Sequence, residues 1–126
     1  MAFRARPIVL IVEDDPVIAM TYEDTAIDAG ASVGGPFLSC ESAEKWLSVH
    51  HPDLAIIDIA LSNGSSVKLA KKLCGREIPF VVVSGYSADS VGIDPIFKSA
   101  LWLEKPFASK MLESALHTML ESEPSV

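Results

Sequence analysis

The sequence predicts a single doubly wound α/β domain built on five parallel strands. Three observations support this fold class. Apolar segments alternate five times with segments of helical periodicity, no linker interrupts the alternation, and the strand-like segments are almost wholly apolar. Strands of that composition are typical of parallel sheets covered by helices on both faces. Right-handed crossovers and one reversal of winding direction then predict the flavodoxin-like strand order 2-1-3-4-5.

The first strand and helix are marked by an apolar run and a proline. Residues 8–12 are all apolar, and Pro16 stands where proline is tolerated, in the opening turn of a helix. The helix is expected to end at Gly30, since glycine is favoured just past a helix end. Helical spacing predicts an inward face formed by Ile18, Tyr22, Thr25 and Ala29.

The second and third strands flank a helix that begins near Ser39. A short strand around residues 31–34 is followed by Gly35-Pro36, which we expect to form a turn. Ser39 is the expected N-cap of the next helix. The third strand, residues 54–58, is a buried run that ends in an acid. The helix between these strands is expected to present Ala43, Leu47 and His50 along one side.

The rest of the chain supplies two strands, two helices and one irregular segment. The fourth strand spans residues 78–83 and the fifth spans residues 100–104. Between them, Gly92 and the Asp94-Pro95 pair interrupt the pattern, so we expect a fourth helix that is short or irregular. The helix before the fourth strand is predicted to bury Val67, Ala70, Leu73 and Cys74, and the last helix Leu112, Ala115, Leu116 and Met119.

Length and composition narrow the function classes. The 126 residues carry 17 acids against 10 lysines and arginines, and an acidic chain repels phosphate backbones, so direct nucleic-acid binding is not expected. No apolar stretch approaches the roughly 18 residues of a membrane helix, and no signal peptide is visible. We therefore expect a cytoplasmic protein without a membrane partner. We also expect reduced packing roles for Cys40 and Cys74, and helix-end or surface roles for His50, His51 and His117.

Polar side chains stand at the ends of four of the predicted strands. They are Glu13 and Asp14 after the first, Asp58 at the end of the third, Ser84 after the fourth and Lys105 after the fifth. The carboxyl ends of parallel strands meet at one rim, where ligands bind. Any one of these residues alone is more often a cap or a turn former, but their joint placement predicts a site.

This set of residues suits a divalent cation and a phosphoryl group. Clustered carboxylates disfavour one another's ionisation, and oxygen-only ligands favour Mg²⁺ or Mn²⁺. A backbone carbonyl from the loop after Asp58 would join them. The Asp58 carboxylate can also attack phosphorus and form an aspartyl phosphate. The cation, the Lys105 ammonium and the Ser84 hydroxyl would then neutralise the phosphoryl oxygens, and Gly85 leaves space for that group.

The motifs together resemble the receiver domain of two-component response regulators. They are Val12-Glu13-Asp14-Asp15-Pro16, Asp58 after its apolar run, Ser84-Gly85 and Lys105-Pro106-Phe107, and the resemblance covers residues 8 to about 120. It implies that Asp58 accepts a phosphoryl group from a phosphohistidine on a sensor histidine kinase or histidine phosphotransfer protein. It also implies that Asp14 binds Mg²⁺ directly, that Glu13 acts mainly through water, and that Ala60 offers its backbone carbonyl. The serine and the lysine of the motifs would contact the phosphoryl group, and the Lys-Pro peptide bond is usually cis in this family.

Residues 79–86 resemble the FAT GUY branch, a group of mostly single-domain receivers whose fourth helix is typically weak or missing. The motif here differs from that of the branch: Val82 and Val83 stand near its Phe-Ala, and Ser84 replaces its threonine. By the same resemblance, Ala60 and Tyr86 occupy positions that help to set how fast water reaches the acyl phosphate, and a bulky Tyr86 would slow hydrolysis. Trp102 stands where many receivers have a tyrosine or phenylalanine switch. A switching role and a fixed packing or partner-contact role both stay open for this tryptophan.

The expected function is that of a stand-alone receiver, residues 1–126 with a core of about 8–120. It would act as a phosphate shuttle or sink, or as a switch that binds a downstream protein through the fourth and fifth strands and the last helix. It would assist its own phosphorylation and dephosphorylation without being an enzyme in the usual sense.

A receiver fragment of a larger regulator is an alternative. A phosphohydrolase of the haloacid-dehalogenase type is disfavoured because Ala60 stands where it needs a second aspartate. A flavodoxin-like cofactor binder is disfavoured because the acids after the first strand would repel phosphate.

Overall fold

The computed structural model describes residues 6–59, 65–90, 92–98 and 100–121, and over these ranges it confirms the predicted sheet. The strands are β1 Ile8–Val12, β2 Ser32–Phe37, β3 Leu54–Asp58, β4 Phe80–Ser84 and β5 Leu101–Glu104. All neighbours pair in parallel, in the order β2-β1-β3-β4-β5. Because β1 and β3 are neighbours, the residues at their carboxyl ends lie side by side.

Four helices cover the sheet: α1 Pro16–Asp28, α2 Cys40–Leu47, α3 Ser65–Gly75 and α4 Ser109–Glu121. The predicted signals for two helix starts are confirmed. Pro16 opens α1, and the Ser39 hydroxyl caps α2 by accepting a hydrogen bond from the Ser42 N–H at 3.1 Å. None of the helices within the described ranges combines the length and hydropathy needed to cross a bilayer.

Among the described residues between β4 and β5, the one helical segment is the 3-10 turn Pro95–Phe97, in agreement with the predicted short or irregular fourth helix. Asp94 begins the turn, and its Oδ1 accepts a hydrogen bond from the Ile96 N–H at 2.9 Å. Phe97 anchors the turn, because its buried ring meets Phe80 edge-on with 6.5 Å between the ring centroids. Phe97 therefore covers part of the sheet here, as a packed helix does elsewhere.

The two faces of the sheet carry separate apolar layers. One layer lies between the sheet and α2, α3 and the 3-10 turn, and the other lies between the sheet and α1 and α4. Successive side chains of a strand point to opposite faces, so Leu10 and Val82 belong to the first layer and Ile11 and Val83 to the second. Both β3 and β4 are buried along their whole length. This double burial is the physical reason for the uninterrupted apolar runs in the sequence.

The second strand is longer than predicted, and the expected turn at Gly35-Pro36 is wrong. β2 continues to Phe37, with an irregularity in its register against β1 between Leu10 and Val12. Proline lacks an N–H and is tolerated in edge strands and at irregularities, and β2 is an edge of the sheet. Gly35 has a φ of 99°, a left-handed conformation that glycine adopts without strain.

Cys74, which was predicted to face inward, is exposed, so that prediction is wrong. Cys74 follows the buried Leu73, and a step of one residue turns a helix by about 100°. The exposed His50 lies just beyond the end of α2, in keeping with its expected helix-end role, and its ring stacks on Trp46 with 4.4 Å between the ring centroids. Cys40 is buried, as predicted, and both cysteines are free thiols.

Candidate functional site

Three carboxylates meet at the carboxyl ends of β1 and β3. Glu13 and Asp14 directly follow β1, Asp58 ends β3, and one oxygen from each lies within 4.8 Å of the other two. Glu13 and Asp58 are buried with 1% exposure each, whereas Asp14 is exposed. The cluster therefore combines two buried acids, Glu13 and Asp58, with one exposed acid, Asp14.

Lys105 reaches this cluster from the end of β5. Its Nζ donates to Asp58 Oδ2 at 2.7 Å and to Glu13 Oε1 at 3.4 Å. Its backbone N–H donates to the Ser84 carbonyl at 2.7 Å, which ties the lysine to the end of β4. The peptide bond from Lys105 to Pro106 is cis. The lysine is thus the counter-ion of two buried acids.

The charges in the cluster are unbalanced. Burial first, and then the neighbouring Asp58, raise the pKa of Glu13 from 4.5 to about 8. Burial lowers the pKa of Lys105, but hydrogen bonding to Asp58 and the charges of Asp58 and Glu13 outweigh it, so the lysine pKa is raised. One ammonium faces three acids, and such a site favours the uptake of a proton or a cation.

The donor set fits a hard divalent cation. Carboxylate oxygens are the ligands that Mg²⁺ and Mn²⁺ prefer, and Glu13, Asp14 and Asp58 supply them without nitrogen or sulfur donors. The next acid of the motif has another role: the Asp15 carboxylate caps α1 by accepting a hydrogen bond from the Val17 N–H at 2.9 Å. The fourth predicted ligand, the carbonyl of residue 60, lies outside the described residues.

Ser84 forms the side of the site next to β4. It is fully buried, and its Oγ accepts a hydrogen bond from the Tyr86 N–H at 2.9 Å. Asp58 pairs with Val83 in the register of β3 and β4, so Ser84 is one residue past the position opposite Asp58. A methyl group at Gly85 would meet no heavy atom within 4 Å apart from its chain neighbours. The structure therefore leaves the space that was predicted beside Ser84.

A hydrogen bond links Trp102 to Tyr86. The Trp102 indole N–H donates to the Tyr86 carbonyl at 2.9 Å. The Trp102 side chain packs, partly buried, against the layer under α2 and α3, whereas Tyr86 is 61% exposed. Sequence reasoning missed this bond, because hydropathy and periodicity carry no signal for a contact between a side chain and a loop carbonyl.

Sequence reasoning also missed the electrostatic link of Tyr22 to the site. This tyrosine lies on the buried face of α1, as predicted. Burial, followed by the charges of Glu13 and Asp58, raises its pKa. Its ring stacks on Phe107 with 6.2 Å between centroids, and both line a groove of about 260 Å³ between α1 and the segment after β5.

Comparison with known proteins indicates one family. A sequence model described as the response regulator receiver domain matches residues 9–117. Among curated proteins, the chain is 27% identical over 110 residues to the transcriptional regulatory protein PdtaR of Mycobacterium tuberculosis, covering 86% of this chain and 54% of PdtaR. The chain thus spans about half the length of the curated relatives it matches.

Solved structures agree with this fold. The BeF3-activated conformation of SdrG from Pseudomonas melonis Fr1 has a TM-score of 0.75 and 34% identity, covering 94% of this chain and 98% of SdrG. A CheY-like response regulator receiver domain protein from Methanospirillum hungatei JF-1 has a TM-score of 0.79 and 22% identity, covering 94% of this chain and 98% of the other. At its lower identity, the second likeness supports the fold alone.

Proposed function

This chain belongs to the response regulator receiver family of two-component systems, and we propose that it accepts a phosphoryl group on Asp58 from a phosphohistidine. One observation carries the proposal: Asp58 Oδ2 lies 2.7 Å from the Lys105 ammonium, within the cluster that Glu13 and Asp14 complete. A carboxylate held beside an ammonium group is a suitable nucleophile for phosphorus, because the ammonium can neutralise the negative charge on the phosphoryl oxygens during transfer.

The proposed transfer exchanges one bond to phosphorus for another, with a divalent cation bound at the site. A bond forms between one Asp58 carboxylate oxygen and phosphorus, and the bond from phosphorus to the donor's imidazole nitrogen breaks, with the electron pair kept by nitrogen. The Lys105 ammonium would pair with one phosphoryl oxygen, and the Ser84 O–H would donate to another. Asp14, Asp58 and the Ala60 carbonyl would hold Mg²⁺ or Mn²⁺, with Glu13 acting mainly through water, and the bound ion would supply further positive charge to the phosphoryl oxygens.

The proposed phosphodonor is a sensor histidine kinase or a histidine phosphotransfer protein. α1 offers such a partner an apolar surface, since Val17, Met20 and Ile27 are exposed at 72%, 62% and 49%. α1 begins two residues after Asp14, so a protein that brings a phosphohistidine to Asp58 would cover the first turns of this helix. Burial of exposed apolar area is the usual driving force for such docking.

We propose that the phosphorylated domain works through protein contacts, as a shuttle or as a switch. A downstream protein would bind the face formed by β4, β5 and α4, and the exposed Tyr86 beside Ser84 would shield the acyl phosphate from water. The domain would catalyse only its own phosphorylation and dephosphorylation. A cytoplasmic location without nucleic-acid or membrane partners belongs to the same proposal. The greater length of the curated relatives keeps a receiver within a longer regulator as the alternative.

Phosphorylation by acetyl phosphate tests the proposal. Wild type, Asp58→Asn and the matched control Asp89→Asn, which changes an exposed aspartate in the loop after β4, are incubated with acetyl phosphate and Mg²⁺ and separated on a phosphate-affinity gel. We expect a shifted band in wild type and Asp89→Asn that disappears with chelator. A band of equal intensity in Asp58→Asn would contradict the assignment of the acceptor.

A further inference from the structure

We propose that Trp102 is a positioning residue for Ser84 and that it acts through the backbone of Tyr86. This inference rests on the proposed function, because it concerns the phosphoryl site at Asp58. Two hydrogen bonds form the link: the Trp102 indole N–H donates to the Tyr86 carbonyl at 2.9 Å, and the Tyr86 N–H donates to Ser84 Oγ at 2.9 Å. The carbonyl and the N–H of Tyr86 thus connect the Trp102 indole to the Ser84 hydroxyl.

The bond from Tyr86 orients the Ser84 hydroxyl. A serine oxygen has two lone pairs and one hydrogen, and its hydrogen rotates to suit the partners available. Accepting the Tyr86 N–H occupies one lone pair and leaves the hydrogen available for a second bond. Because Ser84 is fully buried, solvent does not compete for that hydrogen. The hydroxyl is thereby prepared to donate to a phosphoryl oxygen.

Trp102 supplies the fixed point of this link. It lies in β5, where it pairs with Val82 of β4, and its side chain packs against the core layer. The Tyr86 side chain is 61% exposed, so the hydrogen bonds of its backbone, and not packing of its ring, hold this residue in place. The strand therefore determines where the Tyr86 backbone lies.

The need for an N–H explains why an indole occupies this position. Phenylalanine has no polar atom on its ring, whereas tryptophan is a donor only, through Nε1. The hydrogen bond therefore favours the fixed role of Trp102 over rotation between exposed and buried positions. In this arrangement Trp102 remains bonded to the Tyr86 carbonyl before and after phosphoryl transfer.

A double-mutant cycle on phosphorylation by acetyl phosphate in Mg²⁺ tests the proposal. Trp102→Phe should lower the rate constant about fivefold, which corresponds to about 1 kcal/mol for one hydrogen bond. The same change should have no effect when Ser84→Ala is already present, and its effect should return in Ser84→Thr, which restores the hydroxyl. An equal loss with and without the hydroxyl, or no loss in either, would overturn the positioning role. Failure of wild type to be phosphorylated would instead overturn the proposed function and, with it, this inference.

Fluorescence gives a second readout that does not depend on turnover. Trp46→Phe removes the other of the two tryptophans, which stacks on His50 and contacts Phe37, and should leave the rate constant unchanged. In this variant we expect the emission maximum of Trp102 to stay in place when beryllofluoride and Mg²⁺ are added, while the urea midpoint rises because the mimic binds the folded state. A marked shift to shorter wavelength together with that rise would mean that Trp102 leaves Tyr86 and rotates inward, which overturns the proposal.

Discussion

In chelator, the protein should lose stability as the pH rises from about 5 to about 7, and Glu13→Gln should remove most of that loss. The pKa of Glu13 is about 8 in the folded chain, against an ordinary value of 4.5. A group whose pKa is raised by folding contributes stability that is complete below its unfolded pKa and is lost as the pH approaches its folded pKa. At about 1.36 kcal/mol per pH unit, this single group lowers the free energy of unfolding by roughly 2–3 kcal/mol between these two pH values.

Urea unfolding followed by circular dichroism measures this loss. Wild type and Glu13→Gln are unfolded in EDTA at each pH, and the quantity of interest is the difference between their free energies of unfolding. Contributions from groups that the substitution leaves undisturbed cancel in that difference. Glu104→Gln is the matched control, because Glu104 also stands at the carboxyl end of a strand but is exposed.

The difference between wild type and Glu13→Gln should move by roughly 2–3 kcal/mol in favour of the glutamine variant as the pH rises, whereas Glu104→Gln should show no comparable change. The reasoning is refuted if the Glu13→Gln difference is the same at both pH values. That result would mean that the buried carboxylate is stabilised as an anion by Lys105 alone.

Three further predictions use other parts of the structure. Adding Mg²⁺ near neutral pH should raise the urea midpoint of wild type, because the ion binds only the folded cluster, and Asp14→Asn should reduce this increase; an unchanged increase would exclude Asp14 as a ligand. Native protein should be alkylated by iodoacetamide at the exposed Cys74 and not at Cys40, whose thiol is buried and has its pKa raised to about 11 by burial and then by Glu44; peptide mapping that finds both labelled equally would contradict this. Tyr86→Ala should shorten the lifetime of the aspartyl phosphate several-fold if the side chain shields it, and an unaltered decay of the labelled band would exclude the shielding role.

The strands and the rim of the sheet could be predicted because both follow from the alternation of apolar runs with helical segments. A buried parallel strand has to be apolar at every position, so the runs that end at Val12 and Asp58 were visible without any three-dimensional information. Once these runs were ordered by the crossover rules, the meeting of Glu13 and Asp58 followed. Their burial and their contact with Lys105 are consequences of that order.

The remaining features depend on angles and partners that composition does not encode. Cys74 was misplaced because one residue at the end of a helix turns a side chain away from the core. Pro36 was misplaced because a proline that usually marks a turn is also accepted in an edge strand. The bond from Trp102 to the Tyr86 carbonyl requires an exact loop path, and nothing in the local sequence determines that path.

The bond between Lys105 and Glu13 joins residues that are 92 positions apart, and this separation has a consequence for biosynthesis. A growing chain presents its acids early and the balancing lysine late, since synthesis proceeds at roughly 5–20 residues per second. Until residue 105 has left the ribosome, Glu13 and Asp58 lack the Lys105 ammonium that they contact in the folded chain. Under the proposed function, the phosphoryl site is therefore completed only after β5 has been synthesised.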